Sequence, residues 1–379
     1  MPNAPSKTDQ FQLWCPLGSR SWTREMRAVA KERVDMLHSV LRMAAEEGRV
    51  PVLTIPGDEE EGYDEVLTAT DARSWKRYLN VLIVFEMVLE LVYEKRTISL
   101  RDVYYSSVHL KNQIESNAAV RDVGNLLSLS RRAMGIIPVA RGFVAGGMRF
   151  RTRQSIEGEW SAWTHCQVPV PSGGQGVLIS SVWNSAVEVD TDVTARTLLV
   201  VEKEGIFHRL CEEALWDRVD GGVIMVTGCG MPDMATRALV RCITDRNPHI
   251  LAVGFVDFNP YGVGILCSYR FGSSTVRLMH EGRALDVPRL KWLGLREAQV
   301  QLELQECPTL APQLTPLSVH DERRLQGLLA NPRLEPAYKQ SLLAMRQWGK
   351  KCELEVLFGR GLHYVAAMVE RALIAADYI

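Results

Sequence analysis

Two short apolar runs, each followed by an acidic residue, constrain the fold of this chain more than any other feature. The first covers residues 198–201 and precedes Glu202, and the second covers residues 250–256 and precedes Asp257. Short apolar runs that end in turn residues are typical of buried parallel strands. Ligands of open α/β sheets bind at the carboxyl ends of such strands, where paired carboxylates suit Mg²⁺. The alternative is that each carboxylate only caps a helix or lies in a solvated loop.

The residues around the two runs extend this α/β pattern. We predict strands at 197–201 and 222–227, and helices at 206–215, 234–243 and 263–270. Glycines in the loop 228–233 would let backbone N–H groups approach a phosphate at a helix N-terminus, although Gly-Pro loops are also common simple turns. The sequence contains no G-x-x-x-x-G-K-[ST] motif, so it does not support ATP hydrolysis by a P-loop.

The length and composition are those of an ordinary protein with two or three domains. Its 379 residues carry a formal net charge of −1, which favours no class of partner. No apolar run reaches the roughly 18 residues that span a bilayer, and the first residues lack the basic and apolar regions of a signal peptide. The eight cysteines are scattered without a C-x-x-C pair, which argues against a zinc site. We therefore expect an intracellular protein in a reducing compartment, without a membrane partner.

The N-terminal half is predicted to be mostly helical before it changes to short strands. We expect a loose tail at 1–20, an acidic linker at 57–64, and helices at 24–47, 75–93 and 117–132, with an N-cap signal at 97–99. The first helix is expected either to pack on its own domain or to dock a partner. Glycine turns then separate strands at 135–139, 142–145 and 148–152. Three helices followed by a small β-ribbon is the order of a winged helix.

Arginine is concentrated where this winged helix would contact nucleic acid. Residues 121–153 contain seven arginines and a single acid, Asp122. Such a local excess of positive charge favours contact with DNA phosphates, and the alternative is an ordinary solvated face. Arg131, Arg132, Arg141 and Arg149 are the candidate DNA contacts within this group.

The remaining segments are irregular or helical. Trp160, Trp163 and Trp183 are expected to pack in a core or between domains. A further strand and turn are predicted at 290–294. The chain from residue 320 onward is predicted to be largely helical, including 350–358 and 363–376.

Six short motifs occur in an order that is found in one known family. They are Arg101-Asp102-Val103-Tyr104-Tyr105, Val201-Glu202-Lys203-Glu204, Gly228-Cys229-Gly230-Met231-Pro232-Asp233, Asp257-Phe258-Asn259-Pro260-Tyr261-Gly262, Trp292-Leu293-Gly294 and Lys351-Cys352-Glu353-Leu354-Glu355. Each alone is weak, but six in the same order are specific. Over residues 75–379 the chain resembles the A subunit of topoisomerase VI and its eukaryotic relative, the meiotic double-strand-break transesterase that initiates recombination.

The resemblance implies a multidomain α+β and α/β architecture. A winged-helix (CAP-like) DNA-binding domain at 75–187 would precede a Toprim domain at 188–379, the acidic α/β fold of topoisomerases and primases, with a central parallel sheet and C-terminal helices. Residues 1–74 would form a tail and a helical region that docks a B-like subunit of the topoisomerase VI type. Deleting residues 1–60 is then expected to abolish that docking and to leave the core folded.

The resemblance also implies a chemistry, metal-dependent transesterification that forms meiotic DNA double-strand breaks. Tyr105 matches the family's nucleophile, and Arg101, one helical turn away, would hold the scissile phosphate. Glu202, Asp257 and Asn259 would hold Mg²⁺, with Mn²⁺ as a substitute. The product would be a 5′-phosphotyrosyl bond, and the cut itself would need no ATP.

The resemblance further implies a partner arrangement. One tyrosine cuts one strand, so a double-strand break requires a two-fold homodimer on duplex DNA. In the family each active site is composite, with the tyrosine of one protomer facing the metal of the other. Arg141 and Met231 match positions where the family usually has a lysine and an aromatic residue near DNA. The implied location is the nucleus, on meiotic chromosomes, together with other proteins of the break machinery.

Two features keep other interpretations open. Tyr104 and Tyr105 could both be core residues, although the resemblance assigns Tyr104 to packing and Tyr105 to chemistry. The family's second acidic motif is usually Asp-x-Asp, whereas here Asn259 replaces the second acid, which would weaken a second metal unless Glu204 compensates. The alternatives are a non-catalytic DNA-binding paralogue and the catalytic A subunit of a type IIB topoisomerase that works with an ATP-hydrolysing B subunit.

Overall fold

The described residues of the chain pack around three hydrophobic cores, one among the N-terminal helices and one on each face of a central sheet. The computed structural model describes residues 22–56, 64–137, 141–153, 159–167, 176–179, 188–272 and 285–379. The predicted tail at 1–20, nearly all of the predicted linker and Trp183 lie outside these ranges.

The helical core is built by four helices. They are α1 (Trp22–Glu46), α2 (Trp75–Glu94), α3 (Leu100–Tyr105) and α4 (Gln113–Leu127). The predicted second helix is confirmed almost to the residue, because Val81, Val84 and Val88 recur at helical spacing and are fully buried. The third predicted helix was placed too late in the chain, since Asn112 already caps α4 by accepting a hydrogen bond from the Glu115 N–H.

Short strands complete this helical part. The antiparallel pair β1 (Leu53–Ile55) and β2 (Glu65–Leu67) was not predicted, and its apolar side chains join the helical core. A parallel pair, β3 (Ile98–Ser99) and β4 (Ile136–Ile137), ties the start of α3 to the segment that follows α4. The predicted N-cap is confirmed, because the Ser99 hydroxyl accepts a hydrogen bond from the Asp102 N–H.

The central sheet has six strands in the order β13-β12-β10-β11-β5-β8. They are β5 (Phe143–Gly146), β8 (Val177–Leu178), β10 (Thr197–Val201), β11 (Val223–Thr227), β12 (Leu251–Phe255) and β13 (Lys291–Gly294). Four of them, β10 to β13, are parallel, which confirms the predicted parallel sheet. Side chains alternate between the two faces, so Leu198 and Leu199 enter different cores.

Helices cover the sheet as the α/β pattern predicts. They are α5 (Glu204–Glu212), α6 (Leu215–Arg218), α7 (Met234–Arg246) and α8 (Pro260–Phe271). The predicted helix at 206–215 is two helices, separated where Ala214 takes a left-handed conformation with φ of 47°.

The predicted β-ribbon beside the helices was wrong for its second and third strands. Strand β5 pairs antiparallel with β11 and so belongs to the central sheet. Strand β6 (Met148–Arg153) lies between β7 (Thr164–His165) and β9 (Glu188–Val193) in a separate three-stranded sheet. Sheet membership here depends on partners far along the chain, which local patterns do not reveal.

The three-stranded sheet changes the prediction for Trp160 and Trp163. Trp160 and Trp163 are partly exposed rather than in a core, and their rings lie against arginines of β6, with Arg149 4.6 Å from the centre of the Trp163 ring. Each cation sits over an aromatic face, an arrangement that stabilises both side chains.

The C-terminal part is mostly helical and contains two short strands. It contains α9 (Glu297–Glu306), a 3₁₀ helix (Pro308–Gln313), β14 (Thr315–Pro316), α10 (Val319–Ala330), α11 (Pro336–Trp348), β15 (Lys350–Lys351), a second 3₁₀ helix (Leu354–Arg360) and α12 (Tyr364–Ile374). The predicted helix at 350–358 is confirmed only in part, because residues 350–351 form β15, which pairs with β14, and the helix that begins at Leu354 is a 3₁₀ helix. Among the described helices, none is long and apolar enough to cross a membrane.

Candidate active site

Glu202 and Asp257 lie side by side at the carboxyl edge of the central sheet. Parallel pairing aligns Val201 with Phe255, so Glu202 follows its strand directly and Asp257 follows one residue later at the same edge of the sheet. The Asp257 N–H donates a 2.8 Å hydrogen bond to Oε2 of Glu202, and both side chains are buried. The structure thus brings together the two acidic residues that the apolar runs predicted.

Asn259 is adjacent to this pair and has a structural task of its own. Its Oδ1 accepts a 2.8 Å hydrogen bond from the Gly262 N–H and so caps α8. Its Nδ2, a donor, lies 3.4 Å from Oδ2 of Asp257. The group that faces Asp257 is therefore an amide N–H₂ rather than an oxygen, and the Asn259 oxygen is already committed to the cap.

Lys203 and the segment that follows β15 close the site from the other side. The ammonium of Lys203 is 2.6 Å from Oε2 of Glu353, 2.7 Å from Oε2 of Glu355 and 3.4 Å from Oδ2 of Asp257. The Leu354 N–H donates a 2.8 Å hydrogen bond to Oδ1 of Asp257. Burial alone lowers the pKa of Lys203, but its bonds to the two glutamates raise that pKa overall, so the ammonium stays charged.

The electrostatics of the acidic pair suit a divalent cation. Burial, together with the nearby Asp257 charge, raises the pKa of Glu202, and burial likewise raises the pKa of Asp257. Space is reserved beside the pair, because a Cβ built on Gly262 would lie 3.0 Å from Oε2 of Glu202. Hard carboxylate oxygens in such a place fit Mg²⁺, which usually takes one or two protein carboxylates and keeps several waters. Among the described residues, no three His, Cys, Asp or Glu side chains form a ready-made metal cluster.

Stabilisation of the chain by Mg²⁺ is expected to depend on pH through this pair. The pKa is raised to about 7 for Glu202 and to about 6 for Asp257, so the metal-free fold loses stability as the pH rises through these values. A cation held by this pair would bind the ionised carboxylates, so its stabilising effect is expected to be lost as the pH falls below about 6. Melting temperatures measured with EDTA and with Mg²⁺ at several pH values test this. An increment from Mg²⁺ that is equal at about pH 5.5 and about pH 8.5 would contradict it.

Tyr105 is displayed to solvent at the end of α3. Its side chain is 66% exposed, whereas Tyr104 is partly buried and packs on the helical core. The two rings have centroids 4.9 Å apart, so Tyr104 supports Tyr105 from one side. Arg101 is also exposed, one turn earlier on the same short helix. Fully buried Val103 anchors α3 between them.

Arg141 and Met231 lie together beside the glycine loop. The backbone N–H of Arg141 donates a 2.9 Å hydrogen bond to Oδ2 of Asp233. Oδ1 of Asp233 caps α7 by accepting a hydrogen bond from the backbone N–H of Thr236. The Arg141 side chain is exposed and Met231 is exposed in the same loop region. The structure therefore presents a cation and an apolar side chain near the edge of the sheet.

The other arginines predicted to contact DNA lie in different surroundings. Arg131 is only 8% exposed and Arg132 is partly buried. Arg149 pairs at 2.9 Å with Asp192, its cross-strand neighbour on β9, and Arg151 pairs with Asp190 in the same way. Acids from outside the 121–153 window thus neutralise part of its charge, which weakens the case for DNA contact by Arg149.

Sequence reasoning missed the residues that complete the acidic pair. Lys203, Glu353 and Glu355 were recognised only as parts of motifs, without a role. Alternating acids around a buried apolar residue, as at Glu353-Leu354-Glu355, were the available signal, but nothing local indicates which residues they meet.

Two family models match the chain. The model of the Toprim domain shared by the topoisomerase 6 A-subunit and Spo11 matches residues 197–369, which include the acidic pair and the segment after β15. The model described as "Type IIB DNA topoisomerase" matches residues 76–136, which include Arg101 and Tyr105.

Curated relatives resemble most of the chain. "Meiotic recombination protein SPO11-2" of Arabidopsis thaliana is 30% identical over 315 residues, which are 82% of this chain and 77% of that protein. "Meiotic recombination protein SPO11" of Mus musculus is 30% identical over 289 residues, 75% of this chain and 68% of that protein. "Meiotic recombination protein SPO11-1" of Oryza sativa subsp. indica is 31% identical over 310 residues, 80% of this chain and 75% of that protein.

Proposed function

Since the chain belongs to the family of topoisomerase VI A subunits and Spo11 proteins, we propose that it forms DNA double-strand breaks in meiosis by transesterification. The observation that carries the proposal is the display of Tyr105, which a neighbouring tyrosine supports and solvent reaches. A tyrosine in this position is accessible to a DNA backbone, whereas a core tyrosine is not. The proposed location is the nucleus, on meiotic chromosomes.

The reaction exchanges one phosphoester for another. The Tyr105 hydroxyl loses its proton and its oxygen forms a bond to phosphorus, while the bond from phosphorus to the 3′ oxygen breaks and that oxygen takes up a proton. The enzyme remains joined to the 5′ end of the cut strand. Arg101, exposed on the same helix, holds the scissile phosphate by a charge-assisted contact. No ATP is consumed in the cut itself, and any ATP hydrolysis would belong to a B-type partner.

Glu202 and Asp257 are the proposed ligands of a divalent cation, with Mg²⁺ preferred and Mn²⁺ as a substitute. A bound cation supplies positive charge to phosphate oxygens as negative charge develops on them. The burial of the pair, the space at Gly262 and the raised pKa values support this assignment. Asn259 is proposed as a weaker contributor, because its oxygen already caps α8.

A winged-helix unit is proposed for the helical part that carries Tyr105. The helices α2 to α4, the parallel pair β3 and β4 and their shared core support a compact unit over residues 76–136. The remaining division, a docking region at 1–74 and a Toprim domain from 188, is proposed with one change. Strands β5 and β8 lie before residue 188 but belong to the central sheet. Arg132, Arg141 and Met231 are proposed to contact DNA, and Arg131 and Arg149 less directly.

A two-fold homodimer with composite sites is proposed on DNA. Tyr105 lies on the part of the chain built around the helical core, whereas Glu202 and Asp257 lie at the edge of the central sheet. The proposed nucleophile and the proposed metal ligands therefore belong to separate parts of the fold. Two such chains around a DNA two-fold axis would place one tyrosine on each strand.

The experiment that tests the function is a trap for covalent complexes. End-labelled duplex is incubated with the full chain, dimerised by its partners or by a fused dimeric coil, and with Mn²⁺, and is then quenched in detergent. The expected result is that a label at the 3′ end of the cut strand stays with the protein, because the new 5′ end of that fragment is joined to Tyr105. A label at the 5′ end of the same strand is expected on a released fragment with a free 3′ hydroxyl. Cleaved DNA with two free ends would overturn transesterification.

The exposed face of α1 is proposed to dock the B-type partner. Ala30 and Val34 pack one face of α1 into the helical core, while Met36, Val40 and Met43 form an exposed apolar stripe on another. The expectation that residues 1–60 can be deleted without loss of the core is contradicted by this packing, because the deletion would remove buried side chains of α1 and β1.

Substitutions on that stripe provide the sharper test. The triple variant Met36→Lys, Val40→Lys, Met43→Lys is expected to weaken partner binding by at least about tenfold, because interface binding energy is concentrated in buried apolar contacts. The melting temperature of the free chain should stay within a few degrees. Binding of the B-type partner is measured by co-purification and titration, and Val319→Lys with Ile374→Lys, equally exposed elsewhere, is the control. Unchanged binding by the triple variant would place the partner on another surface.

The non-catalytic paralogue stays a second candidate because of Asn259. Replacing Asn259 with Asp keeps a good helix N-cap but adds a carboxylate next to Asp257, so affinity for Mn²⁺ is expected to rise by about tenfold. Asn112→Asp, which alters the cap of α4 in the same way, is the control and should leave Mn²⁺ affinity unchanged. Cleavage that is absent in the wild-type chain but present in Asn259→Asp would favour the paralogue.

A further inference from the structure

The ammonium of Lys203 occupies the position between the acidic pair and two outer glutamates. It contacts Glu353 and Glu355 at 2.6 and 2.7 Å and Oδ2 of Asp257 at 3.4 Å. The Lys203 and Asp257 side chains are sheltered, whereas Glu353 and Glu355 are more exposed. Lys203 therefore has one buried carboxylate and two exposed ones within reach of a single flexible stem.

The segment that carries the two glutamates is held without help from Lys203. The Cys352 N–H donates to the Phe258 carbonyl at 3.1 Å, and the Leu354 N–H donates to Asp257 at 2.8 Å. Strand β15 pairs with β14, and the Leu354 side chain is fully buried. Because these contacts fix the segment, the bonds of Lys203 are not required to keep it in place.

We propose that Lys203 is a positioning residue that serves as the counter-ion of the acidic pair in the metal-free chain and that a divalent cation must displace it from Asp257. The inference rests on the proposed function, since it concerns the cation that Glu202 and Asp257 are proposed to hold. A cation at Asp257 and an ammonium within 3.4 Å of the same carboxylate repel each other. Glu353 and Glu355 retain the displaced ammonium, and so they keep it away from the bound cation.

Affinities for Mn²⁺ in the absence of DNA test this, measured on the full chain by calorimetry and by the loss of the free Mn²⁺ spin-resonance signal. Lys203→Met, which removes the ammonium and keeps most of the stem, is expected to bind Mn²⁺ about tenfold more tightly. Glu353→Gln with Glu355→Gln, which leaves Lys203 only Asp257 as a partner, is expected to bind it several-fold more weakly. Lys203→Arg restores the charge and should return the affinity toward the wild-type value.

The predicted changes in Mn²⁺ affinity have opposite signs for the two sets of substitutions, and this distinguishes a counter-ion from a residue that only holds the segment in place. If Lys203 only held the segment in place, both sets of substitutions would weaken binding, and that result would overturn the proposal. Lys351, in β15 just before this segment, forms an ion pair with Asp321, and Lys351→Met removes that pair. This control substitution should leave the Mn²⁺ affinity unchanged. Glu202→Gln separates the counter-ion role from the metal site itself. If Glu202→Gln abolishes Mn²⁺ binding but Lys203→Met does not change it, the counter-ion role alone is overturned. If Glu202→Gln does not affect Mn²⁺ binding, the proposed metal site is overturned and this inference with it.

Discussion

Tyr105→Phe is expected to lower the yield of covalent protein–DNA complexes and of double-strand breaks by more than about a thousandfold, while leaving the fold unchanged. The variant lacks only the hydroxyl oxygen that is proposed to attack phosphorus. Because the side chain is 66% exposed, loss of the hydroxyl should change the free energy of unfolding by no more than about 0.5 kcal/mol. The measurement compares detergent-resistant complexes and melting temperatures of the two chains.

Tyr104→Phe is the matched control for this experiment. Its ring packs on the helical core next to Tyr105 and keeps its shape in the variant. We expect cleavage within a few-fold of the wild-type rate. Full DNA cleavage by Tyr105→Phe together with loss of cleavage in Tyr104→Phe would show that Tyr104 is the nucleophile and Tyr105 the packing residue. Loss in both variants with unfolded chains would point to a structural role for the pair.

Glu202→Gln has the second largest expected effect, a loss of divalent-cation affinity of about a hundredfold or more. Substitutions of residues that only support the ligands of a metal site already lower metal affinity about 10- to 100-fold, so loss of a proposed ligand should lower it at least as much. The metal-free chain should be as stable as the wild type or more stable above about pH 7, because a neutral amide avoids the burial of a charge and can still accept the bond from the Asp257 N–H.

Glu204→Gln is the control for that substitution. Glu204 lies two residues further along, at the start of α5, and its side chain is exposed. From the sequence it was a candidate compensating ligand, and the structure instead places it 3.4 Å from His208, one helical turn away. Its substitution should leave Mn²⁺ affinity within about threefold. A Glu202→Gln chain that binds Mn²⁺ and cleaves DNA normally would contradict the assignment of the acidic pair.

The central sheet and its acidic edge were predictable because their causes are local. Strands β10 and β12 are buried on both faces, so they appear in the sequence as continuous apolar runs. The acidic residues follow these runs directly, and parallel pairing then places them together. The display of Tyr105 was not predictable from the residues alone, since two adjacent tyrosines suit a core equally well; the family resemblance carried that assignment.

Other features depend on contacts between distant segments. The acids opposite Arg149 and Arg151 come from β9, about forty residues later, so a charge count within a short window could not detect them. Strand β5 joins the central sheet only because β11 offers it an edge. The segment at 350–358 contains good helix formers, but β15 pairs with β14 over its first two residues, and only a 3₁₀ helix forms from Leu354, whose N–H donates to Asp257.

The covalent bond itself provides the most direct test of the central claim, that Tyr105 joins the chain to a 5′ phosphate of DNA. Complexes trapped from a dimerised chain are digested with nuclease and trypsin, and the nucleotide-bearing peptide is sequenced by mass spectrometry. Cleavage after Arg101 and Lys111 isolates residues 102–111, in which fragmentation separates Tyr104 from Tyr105. The account predicts a nucleotide attached through its 5′ phosphate to Tyr105. A nucleotide on Tyr104 or on any other residue, or a link through a 3′ phosphate, would contradict it.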